Sequence, residues 1–293
     1  MDASVVIRTK NESKFIGETL KRVQGQDFSD DHEIIIVDSG STDSTLDIIK
    51  EYDVRLVEIP QQEFTYGRSL NIGASSAKGR FIVNLSAHAL PKDGKWLKSL
   101  IAGFEEPDVA GIYGRQFSDG HLNPFEALQH DRFFGQGPAK FSRANKKGLR
   151  HIHFSNSNCA IRKDVWQRFR FNEHVHYAED MLWQREVIDA GLSILYTPEA
   201  AVYHTHPVSA YKAYRDSREC AYSLGLMMRT AQSVSMVVYD LAVFMGSVPN
   251  AILRNLMYIW RNNYREHLMS APVFVLSAWL GWLTGRIKYR LKR

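Results

Sequence analysis

The chain of 293 residues contains only two cysteines, Cys159 and Cys220. Two thiols cannot build a disulfide framework, and these two do not have the spacing of a metal site. We therefore expect reduced thiols in a cytosolic protein. The first residues carry no basic segment and no cleavage site ahead of an apolar run, so we do not expect a secretory signal. The sequence also lacks an internal repeat and a low-complexity linker.

The composition excludes several classes of protein. With 44% hydrophobic and 24% charged residues, the chain is not expected to be wholly disordered, fibrous or a polytopic membrane protein. Its length allows one large domain or two of ordinary size.

The net charge of +5 is unevenly distributed. Residues 208–293 hold 12 basic and 4 acidic side chains, which gives +8, whereas residues 1–207 hold 25 and 28, which gives −3. The slight acidity of the first part predicts no basic face for nucleic acid. Because a dense block of motifs ends at Pro207 and the strand-like runs stop there, we predict two domains, 1–207 and 208–293.

Short apolar runs alternate with helical patterns in the first part of the chain. The runs at residues 4–7, 33–37, 54–59 and 81–85 are nearly continuous and rich in β-branched residues. This alternation predicts an α/β fold whose parallel sheet is covered by helices on both faces. Ligands of such sheets bind at the carboxyl ends of the strands. The polar candidates at those positions are Thr9, Asn11, Glu12, Asp38, Ser39, Ser86 and His88.

Two of these strand ends resemble a known family. Residues 5–12 read VVIRTKNE and residues 37–43 read VDSGSTD, and this pair is similar to the nucleotide-binding half of family 2 glycosyltransferases with the GT-A fold. The resemblance implies a Rossmann-like, mostly parallel sheet with flanking helices, followed here by a C-terminal helical region. It implies that Asp38 contacts the base or ribose of a nucleotide sugar, although a lone Asp after a strand more often caps a turn. The neighbours assigned to the same pocket are Thr9, Asn11, Glu12 and Ser39.

A second segment, FTYGRSLNIGA at residues 64–74, resembles the pattern F-x-x-G-x-x-x-N-x-G of bacterial rhamnosyltransferase-like members. Arg68 can neutralise phosphate charge, and glycines permit a close backbone approach. We therefore assign Arg68 and Asn71 to donor binding. The alternative is an ordinary amphipathic helix with a solvated arginine.

The sequence departs from the family at residues 84–91, NLSAHALP. Family members usually carry Asp-x-Asp or Gln-Asp here, and the last Asp binds the metal that holds the diphosphate. We expect Ser86 and Ala87 to lie at the donor and His88 to replace that Asp, with Mn²⁺ or Mg²⁺ as cofactor. Imidazole can ligate Mn²⁺, whereas Mg²⁺ prefers oxygen ligands. A metal-independent enzyme, whose basic side chains hold the phosphates, is the alternative.

An acidic pair, Glu179 and Asp180, matches the family pattern E-D-x₄-R-x₅-G together with Arg185 and Gly191. The resemblance implies that Asp180 is the base that takes the proton from the acceptor hydroxyl, a task suited to a carboxylate near a like charge. Glu179 is expected to position the acceptor or to cap a helix, and Arg185 is assigned to donor binding. The alternative is two acids in the first turn of a helix, where its dipole favours them.

Two histidines, His204 and His206, follow the last apolar strand. In an extended segment they point to the same side. Family members often end the catalytic core with a histidine that reaches the metal or the diphosphate. We therefore count His204 and His206 with His88 as candidate metal ligands.

The C-terminal region raises the question of a membrane. Residues 268–284 contain no charge, but they include Pro272 and Gly281 and are shorter than the roughly 20 residues of a span. We expect helices lying in the membrane interface, with the last five cations, between residues 286 and 293, on anionic lipid. The alternative is packing on the catalytic domain or a dimer interface, which leaves a homo-oligomer open. Residues 234–253 are apolar too, but Asp240 and Pro249 argue against a span.

Taken together, the motifs predict an inverting glycosyltransferase of bacterial cell-surface polysaccharide synthesis. It would move a sugar from a nucleoside-diphosphate sugar to a glycan or lipid-linked acceptor, in the cytoplasm at the inner face of the membrane. A catalytically silent module that binds a nucleotide sugar or a glycan is the alternative, because the usual Asp is missing at position 88.

Overall fold

The protein is described by a computed structural model that covers residues 2–28, 32–135, 137–144, 154–228 and 233–291. The chain forms two compact units. The first comprises Met1–Phe117, His130–His174 and Glu179–Thr205. The second comprises Ser118–Gln129, Val175–Ala178 and His206–Arg293.

The first unit begins with four parallel strands joined by helices. In chain order these elements are β1 (Ala3–Thr9), α1 (Ile16–Gln24), β2 (His32–Asp38), α2 (Thr45–Ile49), β3 (Arg55–Glu58), α3 (Tyr66–Ser76) and β4 (Phe81–Ser86). Side chains of β1 enter two different apolar clusters, Val5 and Ile7 on one face of the sheet and Val6 on the other. The strand is therefore buried on both faces, which explains its apolar run Val5–Ile7. The pairings of β1 with β2 and β4, and of β2 with β3, are parallel and confirm the predicted arrangement.

The remaining elements make the sheet mixed. They are β5 (Leu90–Pro91), α4 (Trp96–Ala102), β6 (Val109–Phe117), α5 (Pro124–Phe133), β7 (Ala139–Phe141), β8 (Asn158–Arg162), α6 (Lys163–Arg168), α7 (Glu179–Asp189) and β9 (Ser193–Tyr203). The strand order is β3-β2-β1-β4-β8-β6-β9-β5, with β7 paired to β9. Strand β8 runs antiparallel to both β4 and β6, whereas β6 and β9 pair in parallel, so the sheet is mixed and the expected parallel arrangement holds for β1 to β4 and for the β6–β9 pair.

The second unit contains three long helices, α8 (Ala210–Met228), α9 (Val234–Arg261) and α10 (Ala271–Arg290). Helix α10 packs closely on α8 through two glycines. A Cβ at Gly281 would lie 2.1 Å from the carbonyl oxygen of Tyr214, and one at Gly285 would lie 2.2 Å from that of Arg218. The uncharged run at residues 268–284 therefore contributes to helix packing inside this unit.

Two of the terminal cations are paired with a buried carboxylate. Arg290 donates to the Asp240 carboxylate at 3.0 Å, and both side chains are almost fully buried. Arg286 lies 3.4 Å from the same carboxylate and is 13% exposed. The expectation that these two arginines sit on anionic lipid is wrong, because burying Asp240 requires compensating charge. The last two cations, at positions 292 and 293, lie outside the described residues.

Helix α9 carries an exposed apolar stripe, and α10 also exposes Val273, Leu276 and Leu280. One side presents a stripe of large apolar side chains at spacings of three, four, seven and eight residues, which fall on one helical face. The stripe consists of Val238, Leu241, Met245, Leu253, Met257 and Trp260. Among the described helices, only α9 is long and apolar enough to cross a membrane, judged by length and composition.

Candidate active site

The carboxyl ends of β1 and β2 form the first part of the site. Thr9 and Asp38 are partners in the parallel register of the two strands, and both are buried. The Asp38 carboxylate accepts hydrogen bonds from the backbone N–H groups of Gly40 and Ser41, each at 2.9 Å. The Ser39 hydroxyl donates to the Thr9 carbonyl at 3.2 Å. Asp38 therefore caps its own loop, and this holds the loop at the carboxyl edge of the sheet.

Asn11 connects the two strand-end loops. Its φ of +54° lies in the left-handed region, which Asn tolerates better than most residues. Its backbone N–H donates to the Ser41 hydroxyl at 2.9 Å, and its side-chain oxygen accepts from the Thr42 N–H at 2.8 Å. The two loops are thus fixed to each other before any ligand binds.

The side chain of Glu12 contacts His88. The Nδ1 of His88 lies 2.8 Å from Glu12 Oε1, and both side chains are about one-fifth exposed. The sequence places Glu12 in the base pocket, but the structure shows it as the partner of His88, which we expect to replace the family's metal-binding Asp. Ser86 ends β4, and Ala87 is buried with its carbonyl accepting from the Thr19 hydroxyl at 2.7 Å.

His88 and His204 form a pair. Their rings stack with centroids 4.8 Å apart, and their Nε2 atoms are separated by 3.0 Å. On the far side of His204, Nδ1 lies 2.8 Å from the Gln116 side-chain oxygen. Sequence analysis missed Gln116, which carries no motif signal.

This pair fits a divalent cation. The carboxylate and amide oxygens accept hydrogen bonds, so each Nδ1 donates, and each ring that is neutral then carries its lone pair on Nε2. Two such lone pairs 3.0 Å apart repel unless they share a cation, which is either a proton on one of the rings or a metal ion. Oxygen partners on the distal nitrogens are also what orients histidine ligands in metal sites. His88 and His204 are therefore suited to hold a metal, with Glu12 and Gln116 orienting them.

His206 belongs to the second unit. Its Nδ1 lies 2.7 Å from Glu126 Oε1, and its backbone N–H donates to Glu126 Oε2 at 2.8 Å. Within that unit it makes a carboxylate pair, and its role as a metal ligand stays a prediction.

Arg68 and Asn71 are brought to one helix, α3, but they do different things. Arg68 forms ion pairs with Glu63 and Glu173, yet its buried Nε has no partner among the described residues. Asn71 donates to the Phe171 carbonyl and Glu173, and accepts from Trp166 and the Phe171 N–H. All four hydrogen-bonding positions of this amide are occupied. Asn71 thus anchors a neighbouring loop, and its side-chain amide has no free hydrogen-bonding position left for the nucleotide sugar.

Arg185 lies on the exposed face of α7. Its Nε donates to Asp189 at 2.6 Å, one helical turn along, and its side chain is 36% exposed. The structure does not bring Arg185 to His88 or to Asp38 through any described contact, and its part in donor binding stays a prediction.

The acidic pair begins α7. Glu179 is buried, and one of its carboxylate oxygens accepts from the Asn156 amide at 3.3 Å. Asp180 is half-buried and accepts from the N–H groups of Asn156 at 3.3 Å and Met181 at 2.8 Å. Asn156 therefore contacts both carboxylates. In the sequence, residues 156–162 read as a β-like run that resembles the family segment preceding the acceptor site, but no spacing rule connects Asn156 to residues 23 and 24 positions later.

The environment of Asp180 favours its protonated form. Burial raises the pKa of this carboxyl to about 7, and the neighbouring Glu179 charge acts in the same direction. Hydrogen bonds from the backbone of Asn156 and Met181 oppose the shift. A carboxylate with a pKa near neutrality is a stronger base than an ordinary Asp, and enzymes tune general bases in this way.

Comparison with known proteins assigns this site to a family. Residues 4–169 match the model of glycosyl transferase family 2, and the chain belongs to that family. Over 194 residues it is 31% identical to the O-antigen chain rhamnosyltransferase WbaN of Salmonella anatum, covering 63% of this chain but only 61% of that protein. It is 28% identical over 225 residues to the rhamnosyltransferase RfbN of Salmonella typhimurium, covering 74% and 71%.

Solved structures share the fold. Residues 1–349 of Staphylococcus aureus TarS superpose with a TM-score of 0.61 at 18% identity, covering 99% of this chain and 91% of that one. A mannosyltransferase from Pyrobaculum calidifontis, solved with GDP-Man and Mn²⁺, gives a TM-score of 0.62 at 17% identity, covering 94% and 85%. These likenesses confirm the GT-A fold expected from the strand-end motifs.

Proposed function

We propose that this protein is an inverting glycosyltransferase that moves a sugar from a nucleoside-diphosphate sugar to a glycan or lipid-linked acceptor in cell-surface polysaccharide synthesis. The observation that carries the proposal is the acidic pair at the start of α7. Asp180 combines a raised pKa with a half-buried position and two backbone N–H donors that hold it. Membership of glycosyl transferase family 2 supports the class of reaction.

In the proposed reaction Asp180 takes the proton of the acceptor hydroxyl. The acceptor oxygen forms a bond to the anomeric carbon while the bond from that carbon to the diphosphate oxygen breaks on the opposite side. The nucleoside diphosphate leaves with the electron pair. Glu179, fixed by Asn156, keeps a second negative charge beside the base and so maintains its raised pKa.

The donor diphosphate requires positive charge. A divalent metal held by His88 and His204 would neutralise the leaving diphosphate, and Mn²⁺ suits imidazole ligands better than Mg²⁺ does. Arg68 on α3 is the basic side chain proposed for the phosphates. Its unpartnered buried Nε–H is a donor that a phosphate oxygen could satisfy.

The donor pocket is proposed at the edge formed by β1 and β2. Thr9, Ser39 and the loop capped by Asp38 lie there, and Asn11 fixes the facing loop. Rhamnose is a reasonable first donor sugar because two relatives are named as O-antigen chain rhamnosyltransferases.

We place the protein at the inner face of the membrane as a peripheral protein. The support is the exposed apolar stripe on α9, because contiguous apolar surface of this kind marks protein or membrane interaction sites. A lipid-linked acceptor would be presented at the same surface. The relative from Campylobacter jejuni, 26% identical over 228 residues, is named for an acceptor carried on undecaprenol diphosphate.

A donor screen tests the proposal. Thermal shift with UDP-, GDP- and dTDP-sugars, each with and without Mn²⁺, identifies the nucleotide, and release of nucleoside diphosphate is then measured without acceptor. Stabilisation by one nucleotide class together with slow donor hydrolysis is the expected result. Stabilisation without any hydrolysis, at any pH between 6 and 9, would instead indicate a silent binding module.

A further inference from the structure

Arg8 is a basic side chain at the carboxyl edge of the sheet that has no part in the function proposed above. It is the next-to-last residue of β1, and in the parallel register it lies beside Val37 of β2 and Ser86 of β4. His88, the proposed metal ligand, follows Ser86 by two residues. The backbone of Arg8 therefore lies between the two strands at whose ends the donor is proposed to bind.

The side chain of Arg8 lies on the face of the sheet that α3 covers. Side chains alternate along a strand, so Arg8 shares a face with Val6, which belongs to the same apolar cluster as Leu70 and Ala74 of α3. The guanidinium carbon of Arg8 lies 5.0 Å from the centroid of the Tyr66 ring, and Tyr66 begins α3. A cation at this distance is attracted by the ring, so Tyr66 holds the guanidinium in place.

The Arg8 guanidinium makes neither a hydrogen bond nor an ion pair with any residue that the structure describes. The side chain is partly buried, and a charge withdrawn from water without an anion beside it is unfavourable. A guanidinium presents its N–H donors in a planar fork that matches the oxygens of a phosphate or a carboxylate. An oxyanion of a ligand is therefore the partner that suits Arg8.

Arg8 also lies near the proposed base. Burial raises the pKa of the Asp180 carboxyl to about 7, and the charge of Arg8 opposes this rise. Burial likewise raises the pKa of the Cys159 thiol on β8, again against the charge of Arg8. All three residues belong to the first unit. Arg8 is thus close to the site of proton transfer, and no ion pair with Asp180 occupies its N–H groups.

The chemistry of the proposed reaction identifies the oxyanion. The base and the leaving group act at the same anomeric carbon from opposite sides, so the phosphate bonded to that carbon is the donor phosphate nearest the base. The other phosphate is separated from that carbon by one more P–O–P link. An arginine near both the base and the carboxyl ends of β1 and β4 therefore faces the sugar-bearing phosphate.

We infer that Arg8 binds the sugar-bearing phosphate of the donor and stabilises the negative charge that this phosphate gains when its bond to the anomeric carbon breaks. The inference rests on the proposed function and adds to it a residue that acts on the leaving group. The alternative is that Arg8 acts only on the base, because a cation near Asp180 favours its ionised form.

Arg8→Gln removes the charge, and Arg8→Lys keeps the charge but loses the planar fork. Arg80→Gln is the matched control. Arg80 also lies over an aromatic ring, 4.5 Å from the centroid of Phe81, but it precedes β4 at the opposite edge of the sheet and its side chain is 67% exposed. Thermal unfolding establishes that each variant is folded, and Arg8→Lys carries the test if Arg8→Gln does not fold.

The probes are UDP, GDP and dTDP, each compared with its nucleoside monophosphate by calorimetric titration of the full chain in Mn²⁺ buffer. We expect one diphosphate to bind the wild type and Arg80→Gln equally. Arg8→Gln should weaken its binding by about tenfold or more and leave the monophosphate within about twofold, because hydrogen bonds to charged groups are strong. Arg8→Lys should show a smaller loss that is again confined to the diphosphate.

Three results would overturn the inference. The first is equal affinity of the wild type and Arg8→Gln for the diphosphate, and the second is an equal loss for the monophosphate and the diphosphate. The third is a wild type that binds none of the three diphosphates. A kcat/KM profile whose midpoint moves to higher pH in Arg8→Gln, with diphosphate affinity unchanged, would show that Arg8 acts on the base alone.

Donor hydrolysis separates this inference from the proposed function. A selective loss of diphosphate binding in Arg8→Gln, in a protein that hydrolyses no nucleotide sugar, would keep Arg8 as a phosphate ligand and refute the transferase. Sugar transfer by the wild type together with unchanged diphosphate affinity in Arg8→Gln would refute the inference and keep the transferase.

Discussion

The Nε2 atoms of His88 and His204 face each other at 3.0 Å, each ring held from behind by an oxygen acceptor. This arrangement is unfavourable for two neutral imidazoles and favourable for two ligands of one cation. We therefore propose that the histidine pair takes the place of the Asp that is missing from the family pattern, and the metal site itself stays a prediction.

The first prediction concerns this histidine pair. His88→Ala should weaken Mn²⁺ binding by at least tenfold, and Glu12→Gln should weaken it by a smaller factor, because losing an outer partner typically costs 10–100-fold or less in affinity. Calorimetric titration with Mn²⁺ alone, with Mg²⁺ as comparison, measures both. His121→Ala is the control, since His121 is an exposed histidine paired with Glu266 in the second unit. Unchanged Mn²⁺ affinity in His88→Ala would eliminate this metal site.

The second prediction concerns the base. Asp180→Asn should lower transfer by at least about 10²-fold, because a positioned general base contributes 10²–10⁴-fold, while donor affinity stays within about twofold. Steady-state transfer and donor calorimetry check the two parts. Asp189→Asn, at the far end of the same helix, should leave transfer nearly unchanged. Turnover of Asp180→Asn close to that of the wild type would disprove the assignment.

The third prediction concerns pH and activity. Since burial raises the pKa of Asp180 to about 7, the base is lost to protonation as pH falls through that value. We expect kcat/KM to decline roughly tenfold per unit below about pH 6.5 and to level off above about pH 8. Glu179→Gln removes the neighbouring charge and should move this midpoint downwards. A profile flat between pH 5 and 8 would contradict the role of Asp180.

The fourth prediction concerns pH and stability. A carboxyl whose folded pKa is raised above 3.8 binds more protons folded than unfolded, so its contribution to stability falls as pH rises from about 4 to about 7. Asp180→Asn lacks this penalty. The free energy of unfolding of the variant should therefore exceed that of the wild type by a margin that is larger at pH 8 than at pH 5, by roughly 2–3 kcal/mol. Differential scanning calorimetry at the two pH values measures the margin, and an equal margin would show that the carboxyl is not perturbed.

The fifth prediction concerns the exposed apolar stripe on α9. Leu253→Asp with Trp260→Asp should reduce flotation with vesicles of anionic phospholipid, since both side chains belong to the exposed stripe. Tyr211→Asp on α8 is the control, because Tyr211 is 74% exposed but lies outside the stripe. Binding that persists in the double variant would rule out the stripe as the membrane surface.

A buried ion pair on the same helix gives a separate prediction about stability. Asp240→Leu should lower the free energy of unfolding by about 3–5 kcal/mol, because it leaves Arg290 buried without its partner.

Much of the fold follows from the order of apolar runs. Strands β1, β2 and β4 are predictable because a parallel strand buried on both faces is built around an apolar run, and helical patterns separate these runs; β3, which reads RLVE, is partly exposed. The direction of β8 is not predictable in this way. Its antiparallel pairing with β4 and β6 joins segments that are distant in the sequence. A short apolar run does not indicate whether a strand pairs parallel or antiparallel with its neighbours.

The sequence likewise predicted some features of the candidate site and not others. The family resemblance made Glu179, Asp180, His88 and His204 candidates, because the chemistry of the site restricts the residue types that can serve there, and their roles stay predictions. The sequence did not separate Asn71, whose amide is consumed by Phe171, Glu173 and Trp166, from a ligand-binding Asn. Which hydrogen bonds an Asn side chain makes depends on its tertiary contacts, so the sequence shows an Asn in either case and cannot tell a structural Asn from a ligand-binding one.

The charge of the C-terminal region shows the difference most clearly. Sequence alone determined that residues 208–293 carry +8, that they are helical in pattern and that an uncharged run lies among them. Only the tertiary structure decided that Arg286 and Arg290 neutralise Asp240 in the interior, and that α9 presents the exposed apolar face. The reason is that the partners of the buried Asp240 carboxylate are the arginines that lie close to it in space, and these are 46 and 50 positions away in the sequence. The net charge of a region does not show where each charged side chain lies.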